Sequence, residues 1–228
     1  MTSGPPAVRP IESRSVAEQV TAELRRSILS GALPPGREFS LRGLADQLQV
    51  SFIPVREALR VLEGEGLVIT RPGRSAMVTP LDLDDLRAIY RLREVLEPEI
   101  AGRSCLLLSD HELDQLERQA AGFADVHGGI GEMYESHHAL HLALLRPAAT
   151  AWDIRMLTTL WRAAERYIRI GFSRLDPDPH ESKRREQVHR ELIAAFRQRD
   201  PEVAAGAVLE HLAANEQTAL KALDEEVS

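Results

Sequence analysis

Apolar residues recur at helical spacing from Ser15 onward. Val16, Val20, Leu24, Ile28 and Leu29 share one face, which predicts a first helix that Gly31 and Pro34-Pro35-Gly36 stop. Ser40 is placed to cap a short second helix over residues 41–48. Ser51 is placed to cap a third, whose inward stripe is Val55, Leu59 and Leu62. Pro54 falls in its first turn, where a missing N–H costs nothing, and Gly64 and Gly66 end it. Two β-prone runs follow at 67–70 and 76–79, around Arg71-Pro72-Gly73-Arg74. That tetrapeptide suits a type II turn, because Gly73 can take the positive φ of its third position. From Pro80 on, the pattern is helical almost throughout. Helices are expected near 82–106, 109–127, 130–146, 149–174, 180–199 and 201–224, with breaks at 108–109, 128–129, Pro147, 176–179 and 200–201.

The order of elements predicts a mainly α chain in two domains. Three helices and a β-hairpin over residues 13–79 have the layout of a winged helix-turn-helix, and residues 80–228 read as an all-α, six-helix antiparallel bundle. Residues 1–12 are rich in Pro and Gly and read as a disordered tail.

Composition narrows the setting. With 228 residues, 43% hydrophobic and 28% charged, the chain can bury a substantial core. Cys105 is the only cysteine, so no disulfide closes within the chain. No run approaches the ~18 apolar residues of a membrane span, and the first residues do not read as a signal peptide, so a cytoplasmic protein without a membrane partner is expected. The net charge of −7 hides an asymmetry. Residues 1–79 carry 10 Lys/Arg against 8 Asp/Glu, and the remainder carries 18 against 27. Only the N-terminal third is suited to a polyanion.

The third helix carries the chemistry for that polyanion. A recognition helix enters the major groove with its N-terminal residues nearest the base edges. Ser51, Phe52 and Ile53 occupy that end, and the two apolar side chains match a thymine methyl. Arg56 and Arg60, at i and i+4, share the face opposite the Val55/Leu59/Leu62 stripe. Arg71, Gly73 and Arg74 form the wing tip, where cations reach phosphates or the minor groove. The bland alternative is a solvated arginine face with Phe52 and Ile53 packed inside.

The segment Ser51-Phe52-Ile53-Pro54-Val55-Arg56-Glu57-Ala58-Leu59-Arg60-Val61-Leu62, with the upstream Leu33-Pro34-Pro35-Gly36 and Arg42-Gly43-Leu44-Ala45, resembles the hallmark of the GntR family of regulators. The resemblance implies DNA binding by residues 15–79, with Arg42 as a contact. A helix-turn-helix reader of this kind is expected to act as a homodimer on a pseudo-palindromic double-stranded operator, because two-fold protein symmetry maps onto two half-sites. The family usually has Arg and Thr where this chain has Phe52 and Ile53.

Four of the eight histidines sit on inward stripes. His137 and His141 are one turn apart on a face that also holds Ile130, Tyr134, Leu144 and Leu145. His189 precedes Leu192, Ile193 and Phe196, and His211 lies between Val208 and Leu212. Buried imidazoles are costly without a shared partner, and a divalent metal would supply one. Four separately satisfied core histidines are the alternative. From Leu81 on, the chain resembles the FCD ligand-binding domain of the FadR subfamily within GntR, which implies a metal held by His141, His189 and His211. His137 stands where that pattern usually has aspartate. Nitrogen-only ligation favours a transition metal such as Zn or Ni over Mg, Ca or Mn.

Arg93 lies on the stripe of Leu86, Ile89, Tyr90, Leu96 and Ile100 and so faces inward. It needs a carboxylate, either from the protein or from a small organic-acid effector, as the FCD resemblance implies. A metal-dependent enzyme with an accessory DNA-binding domain is the alternative function. A hydrolytic metal site needs a nearby general base, and the chain has no His-Glu-x-x-His, no Asp/Glu pair at a plausible site and no phosphate-cradling glycine loop. A third reading, a purely structural zinc, would have four closed ligands and no effector. An effector-responsive regulator, acting as a repressor, is the expectation.

Overall fold

The computed structural model describes residues 15–71, 75–122, 129–175 and 179–227. The 1–12 tail and the turn built on Gly73 lie outside these residues. The chain divides into two compact units, Met1–Thr79 and Pro80–Ser228.

In the first unit, α1 (Val16–Leu29) starts at a capping box. Ser15 Oγ accepts from the Glu18 amide, and the Glu18 carboxylate accepts from the Ser15 amide, so two otherwise orphaned donors are satisfied. β1 (Glu38–Ser40) runs directly into α2 (Leu41–Leu48), and Ser40 Oγ caps that helix at the Gly43 amide, 2.9 Å away. A Cβ on residue 43 would stand only 3.0 Å from that hydroxyl, which is why glycine fits there. α3 (Phe52–Gly64) begins at Ser51, whose side chain makes no cap bond. β2 (Val68–Arg71) and β3 (Ser75–Val78) complete a three-stranded antiparallel sheet in the order β1-β3-β2. The strand β1, which pairs Glu38 with Met77, was not anticipated from sequence. The core joins Val20, Leu24 and Ile28 of α1 to Val55, Leu59 and Leu62 of α3, with Leu44, Leu67 and Val78. Each large aliphatic side chain so buried stabilises the unit by ~1.5–3 kcal/mol.

Among the described residues, the regular structure of the second unit is helical: α4 (Leu83–Ser104), α5 (Asp110–Ala121), α6 (Gly129–Leu145), α7 (Ala151–Leu175), α8 (Pro179–Arg197) and α9 (Pro201–Val227). Within the described residues the number and order of helices follow the periodicity, with end shifts of at most three residues; the expected continuation of α5 over 123–127 lies outside the described residues. α4 packs chiefly on α9 and α7, α5 on α8 and α6, and α9 also on α7 and α8. Tyr90, Leu113, Leu140, Tyr167, Phe196 and Leu212 lie in one continuous core. Arg199 takes a left-handed conformation (φ 58°) at the α8–α9 turn, where glycine would be ordinary. Its guanidinium compensates by donating to the Cys105 and Leu108 carbonyls and to Asp110, which ties this turn to the α4–α5 connection. Among the described residues, no helix is long and apolar enough to cross a membrane.

Candidate metal centre and DNA-contacting helix

The apolar stripe of α3 fixes which of its residues face out. Val55, Ala58, Leu59 and Leu62 are buried, so Arg56 and Arg60 must be exposed, and they are. Ile53 is 68% exposed at the helix N-terminus, the position from which a groove-bound helix reads bases. Phe52 departs from the expectation. It is half-buried and packs against the core, with the Arg56 guanidinium 5.5 Å from its ring centroid. Its ring therefore holds Arg56 by a cation–π contact as well as presenting an apolar edge. Arg42 and Ser51 are exposed. Arg71 is exposed too, but its Nη1 is paired with Glu38 Oε1 at 2.7 Å. Gly73 and Arg74 lie outside the described residues.

In the second unit, α6 contributes His137 and His141, α8 contributes His189 and α9 contributes His211. All four are buried, and one potential ligand atom from each lies within 4.8 Å of the others. The Nε2 atoms of His137 and His141 are 3.2 Å apart. Zn–N bonds of ~2.0–2.1 Å set tetrahedral nitrogens ~3.4 Å apart, so small side-chain adjustments would close the set on an ion. His189 Nδ1 donates to the Arg185 carbonyl at 2.6 Å, which fixes its tautomer and makes Nε2 the lone-pair nitrogen. His211 Nδ1 is buried with no hydrogen-bond partner among the described residues, as an unliganded donor atom would be.

Electrostatics favour the same chemistry. Burial pushes His137 and His141 well below the ordinary imidazole range, reinforced by the neighbouring imidazoles and by Arg93. Burial does the same to His211, aided by His189 and Arg93, and takes His189 down to about 4. All four rings are neutral at pH 7, the form that ligates metal. His138, on the same helix, belongs elsewhere: its ring stands edge-on to Trp161, with centroids 4.6 Å apart.

Arg93 is buried, as its stripe predicts, and its carboxylate comes from the chain itself. Its Nε donates to Glu97 Oε1 at 2.7 Å, and Trp161 Nε1 donates to the same oxygen at 2.7 Å. Burial works against the charge on Arg93, but Glu97 and Tyr90 outweigh it and its pKa rises. The pair leaves capacity unspent. Arg93 Nη1, Glu97 Oε2 and the Tyr90 hydroxyl are buried with no hydrogen-bond partner among the described residues. Sequence reasoning did not name Glu97, although its i+4 spacing from Arg93 was there to be read.

A recognition helix with exposed cations and a separate helical unit around a histidine tetrad define a helix-turn-helix transcriptional regulator. The model for bacterial regulatory proteins, gntR family, matches residues 16–78, and the FCD domain model matches residues 88–214. The chain belongs to the GntR family, in the branch that carries an FCD domain. It is 31% identical over 167 residues to the HTH-type transcriptional regulator BphR of Paraburkholderia xenovorans, covering 69% of this chain and 67% of that one. It is 26% identical over 204 residues to the HTH-type transcriptional repressor RspR of Escherichia coli, covering 88% and 87%. The solved structure of E. coli McbR/YncC shares the fold, with a TM-score of 0.74 at 22% identity over 95% of this chain and 100% of that one. BphR and RspR are named as a transcriptional regulator and a transcriptional repressor, and with the family match the enzyme alternative is set aside.

Proposed function

We propose that this regulator is a homodimeric, cytoplasmic repressor whose FCD domain holds a transition metal and a small carboxylate effector that together set its affinity for a pseudo-palindromic operator. The histidine tetrad carries the reading: four neutral imidazoles from three helices, buried around one point, with ligand atoms within 4.8 Å. His137 in place of the usual aspartate makes the donor set all nitrogen, which favours Zn or Ni. Four protein nitrogens leave one or two positions open on a metal that accepts five or six ligands. A carboxylate bound there would find Arg93 Nη1 as a buried donor with unspent capacity. In this reading, Arg56, Arg60, Arg42, Ser51, Phe52, Ile53 and the wing residues Arg71, Gly73 and Arg74 make the DNA contacts. Repression is supported by the resemblance to RspR, which is named a repressor.

The test is operator binding under titration with di- and tricarboxylates, on a site selected from random DNA. The selected site should be pseudo-palindromic, and Arg56→Ala should cost ~1–3 kcal/mol of specific binding. An effective acid should raise the melting temperature and weaken operator binding by ~1–3 kcal/mol. Arg93→Ala alone would strand the buried Glu97 charge. The double variant Arg93→Leu/Glu97→Gln is therefore the cleaner probe, and it should keep the metal and lose the acid response. A double variant that still responds to the acid would remove Arg93 from the effector site.

A further inference from the structure

Asn215 lies one turn beyond His211 on α9, and its Nδ2 stands 3.0 Å from His211 Nε2. The other ring nitrogen, Nδ1, is the buried atom without a hydrogen-bond partner among the described residues. A neutral imidazole carries one proton. If the Asn215 amide donates to Nε2, that proton must sit on Nδ1, which is buried and finds no acceptor among the described residues. A half-turn about the last torsion of Asn215 presents Oδ1 instead. Nε2 then becomes the donor, and the Nδ1 lone pair is released into the cluster.

We propose that Asn215 is the positioning residue of the metal site: its Oδ1 accepts from His211 Nε2 and so turns Nδ1 into a ligand atom. His189 is set the opposite way, because its Nδ1 donates to the Arg185 carbonyl and only Nε2 can ligate. His137 and His141 meet through Nε2. The donor set is thus three Nε2 atoms and one Nδ1. Two of its members are oriented from one turn away on their own helices, His189 by the carbonyl of residue 185 and His211 by the amide of residue 215. The signal in the sequence is the spacing His211-x-x-x-Asn215.

This inference rests on the tetrad being a metal site, and the test separates the two. Zinc affinity is measured by chelator competition on the full chain, for wild type, Asn215→Leu and Asn215→Asp. Asn215→Leu, which has no acceptor, should bind zinc about tenfold to a hundredfold more weakly. Asn215→Asp keeps the acceptor and should bind at least as tightly as wild type. Asn215 is only half-buried, so the metal-free melting temperatures should stay together. Independently, ¹⁵N spectra of zinc-loaded wild type should show His211 protonated at Nε2 and His189 at Nδ1. An Asn215→Leu affinity within about twofold of wild type, equal losses in the Leu and Asp variants, or His211 protonated at Nδ1 in the zinc-loaded spectra would overturn the role of Asn215 while leaving the site standing. A wild type that binds no zinc would overturn both.

Discussion

Arg93 keeps its charge inside the bundle because Glu97 sits one turn along α4 and Trp161 on α7 donates to the same carboxylate oxygen. Its inward direction was legible from the stripe of Leu86, Ile89 and Tyr90. Its partner was not singled out, because i,i+4 ion pairs usually lie on solvated faces and sequence alone does not say which one is buried. The four histidines were legible for the same reason as Arg93, each being flanked by residues that had to be core. Asn215 was not, because its i+4 spacing from His211 assigns it no role until the ring nitrogen it touches is known. The lowered histidine pKa values make a prediction for the metal-free protein. The unfolded chain takes up protons near pH 6.5, whereas burial in the folded tetrad holds His189 at about 4 and the other three well below the ordinary imidazole range. Stability is therefore intact above about pH 6.5. Below that it should fall by ~1.4 kcal/mol per pH unit for each histidine kept neutral. Urea titrations of metal-free protein between pH 7.5 and about 5 check this, and a flat profile would mean that the imidazoles are not buried as described.

At the scale of elements, the long helices were readable because each repeats its apolar positions over several turns. The strand β1 was not, because Glu38–Ser40 is too short to show alternation, and only its pairing with β3 makes it a strand. Phe52 was read as facing the groove from its place at the start of α3, but its half-burial depends on tertiary neighbours that periodicity does not reveal. Two glycines in the bundle make opposite predictions. Gly102 on α4 lies against the start of α9, where an added Cβ would be 3.0 Å from the Pro201 carbonyl oxygen and 3.4 Å from Pro201 Cβ. Gly102→Ala must push the two helices apart and should destabilise the protein by ~1–3 kcal/mol. Gly206 sits inside α9 with open space around it, so Gly206→Ala should stabilise by ~0.5–1 kcal/mol through helix propensity alone. Chemical denaturation of both variants checks the pair, and equal effects would contradict the packing of α4 on α9.

At the scale of the whole molecule, two compact units divide the chemistry, one presenting exposed cations on a recognition helix and the other enclosing the histidine tetrad. A metal that binds only the folded state adds stability by mass action, ~4 kcal/mol at a thousandfold excess over its dissociation constant. An effector moves DNA affinity only by its own preference between two arrangements of the protein. Both effects depend on the tetrad taking up an ion, which calorimetric titration of metal-free protein with zinc or nickel tests most directly. Wild type should bind about one ion per chain saturably. The heat should not depend on the buffer, because the four rings are already neutral at pH 7 and release no protons. His141→Ala/His189→Ala should show no such binding, while the exposed His111→Ala should match wild type. The absence of saturable binding in wild type, or its survival in the double variant, would contradict a metal centre at these four histidines.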